Sequence, residues 1–198
     1  MMKTLWLIVL AALLALGYYE FEYEREITHS PGILAPNAPQ QISLTQPRFW
    51  EKDEYRITAL AQFNLEARVL SKERYWFGRE ADLSPVDLAL GWGPMSDQNV
   101  LDHLNISQGG RRYSWWGRPL PLPAEKIYAH SANMHILPAN EDIENLLDQI
   151  CSGDIVTLRG YLVAIQAGDG WNWRSSLSRT DRGDGACEVV WVESLAIR

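Results

Sequence analysis

The stretch "NEDIENLLDQICSGDIVTLRGYLVAI", residues 140–165, decides the fold. It opens as a helix and closes as a strand. The Asn140 side chain can cap a first turn, Glu141 and Asp142 suit the positive end of a helix dipole, and Gly153 supplies a stop. Ile143, Leu146, Leu147, Ile150 and Cys151 fall on one stripe, so the helix is amphipathic and lies against a core. The following run, 154–165, is almost continuously apolar, which predicts a strand covered on both faces. Strands, one such helix, then more strands is the order of an OB-type barrel, with this run as its fourth strand. The expected class is therefore α+β, mainly β: a small, partly open, OB-like barrel with one amphipathic helix and two short helices, preceded by an N-terminal membrane helix.

Downstream, residues 170–179 alternate, with Trp171, Trp173 and Leu177 on one side. Residues 186–197 place Cys187, Val189, Trp191 and Leu195 on one side. Between them, 180–185 are rich in Asp and Gly, which is hairpin-loop chemistry rather than an active-site loop. Upstream, Ile57, Ala59, Ala61, Phe63, Leu65, Ala67 and Val69 alternate with more polar residues and predict a long strand or two strands. Ser84, Pro85 and Asp87 carry a helix-start signature, stopped by Gly91, Gly93 and Pro94; Ser96 and Asp97 start a second short helix. Gly109 and Gly110 suggest a hairpin turn or a single strand leaving them, and residues 125–139 another strand.

The first residues are a different kind of sequence. After Lys3, residues 5–19 carry no charge. A helix of about 15 residues spans roughly 22 Å, and Tyr18, Tyr19 and Phe21 can extend it at the interface. Residues 1–26 are thus read as a retained signal anchor with its N-terminus cytoplasmic, the alternative being a signal peptide cleaved at the small-x-small site Ala15–Gly17, which bulky Tyr18 follows. Residues 27–48 contain Pro31, Pro36, Pro39 and Pro47 and read as a tether, and 49–198 as the folded domain. This places a single-pass protein in the inner membrane with its C-terminal domain in the periplasm. Cys151 and Cys187 would meet an oxidising compartment there, which permits a disulfide.

Residues 67–97, 130–139 ("HSANMHILPA") and 175–193 ("SSLSRTDRGDGACEVVWVE") together resemble a family of short bacterial proteins named only as hypothetical or membrane proteins. The resemblance implies a bacterial source. It implies no catalytic residue, because no activity is established for that family.

A net charge of -7 argues against a broad nucleic-acid interface, which needs a basic face, so no nucleic acid is expected as partner. Arg111, Arg112, Trp115 and Trp116 combine guanidinium groups with rings that can stack on a glycan or a protein surface, and Trp92 sits in a tight glycine-flanked loop. These five are the candidate binding residues, and an envelope protein or glycan is the expected partner. A hydrolase is the competing class. It would draw on Ser175 or Ser176 with His130 or His135 and Asp181 or Asp184, or on paired carboxylates such as Asp181 with Asp184 or Glu73 with Glu80. His130 and His135 are separated by an odd number of residues, so a regular strand would point them to opposite faces; no metal and no cofactor are expected.

Overall fold

A computed structural model describes Trp6, Val9, Leu10 and residues 26–178 and 187–198. The expected membrane segment falls almost wholly outside these residues. No helix among the described residues is long and apolar enough to cross a membrane. In chain order the elements are β1 (Gln40–Ser43), β2 (Phe49–Lys52), β3 (Tyr55–Arg74), α1 (Arg79–Leu83), β4 (Val86–Gly91), a 3-10 turn (Gly93–Ser96), α2 (Gln98–Leu101), β5 (Asn105–Gly109), β6 (Arg112–Trp116), α3 (Ala124–Ala129), β7 (Ser131–Pro138), α4 (Glu141–Gln149), β8 (Ile155–Ala167), β9 (Asn172–Arg174) and β10 (Glu188–Ile197).

Five strands close into a ring. β3 pairs antiparallel with β4, β4 with β7, β10 with β8, and β8 again with β3, while β7 and β10 are parallel. The twenty-residue β3 makes closure possible: residues 55–68 pair with β8 and residues 68–74 with β4. A strand that serves two neighbours must bend, and its register shifts between Ala59 and Ala61 and between Val69 and Ser71 supply the bends. Gly160 of β8 lies against the Trp191 carbonyl, where any Cβ would collide, so β8 and β10 approach as closely as they do only with glycine there.

The first register shift corrects the expectation of one apolar face along β3. Leu60 is the extra residue. Ile57 therefore packs on the outer face with Leu83, Leu137, Val163, Ile165, Val189 and Trp191, whereas Phe63, Leu65, Ala67 and Val69 point into the ring. A shift between Val192 and Ser194 does the same on β10, so Leu195 joins the interior while Val189 and Trp191 stay outside.

α4 is as expected: the Asn140 side chain accepts from the Ile143 amide, and Ile143, Leu147 and Ile150 enter the interior cluster. Residues 86–91 correct a second expectation. They form a central strand, buried at every position, not a helix. The Ser-Pro-x-Asp signature is local, and burial on both faces removes the alternation that would have marked a strand. The second short helix does form, with Asp97 accepting from the Asn99 amide. Residues 125–129, expected as the start of a strand, belong to the helix α3, and Ser131–Pro138 carries the strand.

β9 pairs with β8, not with β10. The expected hairpin between the Trp171–Trp173 segment and β10 is thus replaced by a turn from β8 into β9, closed by the Ala167 amide on the Trp171 carbonyl. The 180–185 loop lies outside the described residues. Residues 27–48, expected as a tether that either reaches out or packs along the domain, lie along it: β1 pairs with β3, and Ala35 is wholly buried.

Candidate functional site

Glu73, Asp87, Asn133, His135 and Cys187 come together at one place, the outer face of β4 and β7. Strand alternation puts Asp87 and Ala89 on that face, and the register sets His135 opposite Asp87 and Asn133 opposite Ala89. Across β3 the same row continues to Glu73. The β5–β6 hairpin folds over this face. Its turn has positive φ at Gly110 (58°) and Arg111 (64°), the left-handed pair that a two-residue hairpin turn needs.

That turn delivers Arg111 to a buried acid. Its guanidinium donates to Asp87 Oδ1 (2.7 Å) and to the Ser84 carbonyl (2.9 Å), and covers the Tyr75 ring at 3.8 Å. Glu80 lies 3.6 Å from Arg111 Nε, and the Arg111 amide donates to the Tyr75 hydroxyl. Asp87 is fully buried and also accepts from Asn133 Nδ2 (3.3 Å), whose own Oδ1 accepts from Gln108. His135 Nδ1 lies 2.9 Å from Asp87 Oδ1 without the alignment of a hydrogen bond, and its ring packs on Trp173 at 4.8 Å. Cys187 Sγ donates weakly to the Arg111 carbonyl (3.8 Å), and Glu188 beyond it is buried.

The electrostatics follow from burial. Desolvation pushes the Cys187 thiol up to about 11, so at neutral pH it is a neutral thiol and not a nucleophile. Desolvation likewise raises the Tyr113 phenol to about 12. Burial, and then the neighbouring Asp87, raises the Glu73 carboxyl. Ser175 does not form a Ser-His pair: its hydroxyl donates to the Ser176 carbonyl and accepts from the Val189 amide. His135 lies beside Asp87 without the hydrogen bond that a triad's histidine makes to its carboxylate, and the Ser175 proton is held by the backbone.

The other expected residues scatter. Trp92 is 2% exposed and plugs the interior, with its amide on the His130 carbonyl. His130 itself bonds the Lys126 carbonyl, away from His135. Trp115 packs on Tyr128, while Arg112 and Trp116 (64% exposed) stay on the solvent face of the hairpin. The five-residue binding patch is therefore split: Trp92 is buried, Arg111 is partly buried and engaged with Asp87, and Arg112 with Trp116 remains at the surface. Asp181 and Asp184 lie outside the described residues. Cys151 and Cys187 are both free thiols: Cys151 follows α4, where its amide donates to Asp154, and Cys187 sits in the Arg111 cluster, so the permitted disulfide is not formed. Among the described residues no three His, Cys, Asp or Glu side chains are grouped to hold a metal.

A groove of about 350 Å³ opens elsewhere, on the outer face of β1, β3 and β8. Gln40, Asn64 and Arg159 form one cross-strand row, and Glu66 with Thr157 the next. Asn37 and Ala38 close one side. These side chains offer amide, hydroxyl, carboxylate and guanidinium groups, set beside the apolar surface of Ala38, Leu65 and Leu158 in about equal measure. Reading the sequence for apolar periodicity passed over them; the signal was their own alternation, Gln62, Asn64 and Glu66, on the opposite phase of β3.

Comparison with known proteins finds no match: no protein-family model, no curated protein and no solved structure corresponds to the chain.

Proposed function

We propose that this is a membrane-tethered extracytoplasmic binding domain, built on an OB-type barrel, that takes an envelope glycan in the β1–β3–β8 groove. The five-strand ring, with β7–β10 as its parallel pair and α4 leading into β8, supports the OB-type reading. The observation that carries the functional reading is a contrast in access. Among the described residues, Asp87, Arg111, Asn133 and Cys187 are engaged with one another beneath the hairpin, whereas the open groove presents hydrogen-bonding side chains beside Leu65 and Leu158. Amide and hydroxyl groups with one acid and one base suit a neutral, hydroxyl-rich ligand better than an apolar one.

The test is calorimetric titration of the domain with a soluble N-acetylhexosamine tetramer. Saturable binding is expected, lost in Asn64→Ala/Arg159→Ala while thermal stability is kept. Silence of the unsubstituted domain towards the oligosaccharide overturns the glycan assignment, and binding of an envelope protein with the same groove dependence replaces it.

A second reading, an envelope hydrolase, draws on Glu73, a half-buried carboxyl with a raised pKa beside Asp87. It requires turnover of cell-wall glycan that disappears in Glu73→Gln.

A further inference from the structure

The segment between the N-terminal apolar run and the sheet is a docked strap. The Ile27 amide donates to the Ser152 carbonyl at 2.7 Å. The His29 amide donates to Gln98 Oε1, and its ring reaches the Gly153 carbonyl at 2.8 Å. The Gly32 amide donates to Asp97, and the Leu34 and Ala35 amides share the Ser96 hydroxyl. The Ala35 carbonyl in turn accepts from the Gly93 amide at 2.7 Å. Arg68, 2% exposed, donates to both the Ile27 carbonyl and Gln98. Gly153 has φ +98°, and a Cβ there would collide with the Ile27 carbonyl, so the site is shaped for the strap's backbone. Proline supports this arrangement: a segment with few conformations when free loses little entropy when docked.

All these contacts lie at one pole of the ring. β4 gives the direction: its Gly91 end pairs with Arg68 and Ser131 beside the strap, and its Val86 end pairs with Arg74. Tyr75, Trp76 and Phe77 follow Arg74 at the second pole, where Arg79 of α1 is paired with Asp169 of the β8–β9 turn. Six strand residues separate the poles by about 20 Å.

We infer that the strap pole is the surface held against a lipid bilayer and that the Trp76–Phe77 pole faces away from it. The inference rests on the membrane-anchor reading above. From Tyr19, the end of the uncharged run, to Glu26 is seven residues, which reach at most roughly 25 Å when fully extended. A free 27–48 segment would have let the domain tumble at several times that height; the docked strap removes this freedom. The domain is oriented, and its exposed aromatic tip, with Phe77 93% exposed, points towards the envelope rather than the lipid.

The full chain is reconstituted in vesicles of phosphatidylethanolamine and phosphatidylglycerol that carry an energy acceptor on a headgroup. A donor dye is placed either on Cys151, beside the strap, with Cys187→Ser, or at Phe77→Cys with both native cysteines replaced by serine. Transfer severalfold stronger from Cys151 than from position 77 is expected, and the two should converge when the strap is expelled by Ala35→Glu/Ser96→Ala. Circular dichroism checks that this variant keeps its strand content, and the two-label comparison in the intact strap stands without it. Equal transfer from both labels in vesicle-bound protein overturns the orientation and leaves the anchor intact. Failure of the chain to float with the vesicles overturns the anchor, and the orientation with it.

Discussion

The two faces of the β4–β7 pair are built on opposite principles. The inner face carries Val86, Leu88, Leu90, Met134 and Ile136 and belongs to one apolar cluster. The outer face carries Asp87, Asn133 and His135 beneath Arg111. Apolar contacts have no preferred direction, so the inner face tolerates changes of shape at a graded cost. The outer face depends on particular atoms meeting at hydrogen-bond distance in a low-dielectric site. Removing one partner there leaves a charge with nothing to compensate it. What holds the hairpin over the sheet is therefore specific, and what fills the ring is general.

Arg111→Ala should break this contrast most strongly. Asp87 would remain buried without its cation, at a cost of about 3–5 kcal/mol in a denaturant titration, and replacing both residues by apolar ones of similar volume should recover most of the loss. If the single variant unfolds at the same denaturant concentration as the parent, the outer face is not the constraint described. Leu158→Ala, which empties a fully buried position inside the ring, should cost about 2–5 kcal/mol by the same measurement, with no recovery from a second polar change. Asn140→Ala removes one cap bond from α4 and should cost about 1 kcal/mol.

The smallest effects are in pH dependence. Lys72, whose ammonium donates to the Leu147 and Asp148 carbonyls, is lowered by burial to about 8 from 10.5. The unfolded chain therefore binds more protons above pH 8, and stability should rise as the pH rises towards 10.5. Cys187 acts in the opposite sense. Its pKa, raised to about 11 from 9, adds stability that is complete below pH 9 and is lost between 9 and 11. The window from pH 8 to 9 thus isolates the lysine: thermal melts there should shift upward with pH in the parent chain and stay flat in Lys72→Met. The same burial predicts slow alkylation of Cys187 by iodoacetamide at pH 8 in the folded protein and rapid alkylation in urea, read by mass spectrometry.

The helix α4 and the strand after it were legible because their signals are local. Asn140 caps the turn it precedes, and Ile143, Leu147 and Ile150 recur at the helical period whatever lies opposite. The hairpin at Gly110 was legible for the same reason. Residues 86–91 were misread because a strand covered on both faces shows no alternation, and a Ser-Pro pair imitates a helix start. Most of the candidate site was hidden. Arg111 and Trp92 looked like surface anchors, yet a left-handed turn carries one to Asp87 and interior packing claims the other. The groove residues Gln62 and Asn64 stood only among the more polar positions alternating along β3, and Arg159 lay in a run read as covered on both faces.

By itself, the sequence determined a mainly β domain with one amphipathic helix, a glycine-turned hairpin and an apolar first segment, because period, capping and turn chemistry act over a few residues. The tertiary structure alone decided which face each side chain serves. A single inserted residue at Leu60 moves the positions up to Val69 across the sheet, until the second shift reverses it, and the pairing of Asp87 with Arg111 or of Ser96 with Ala35 joins residues far apart in the chain. Such choices depend on closing the ring and on meeting the buried Asp87 carboxylate with a cation, and both are properties of the whole assembly of strands.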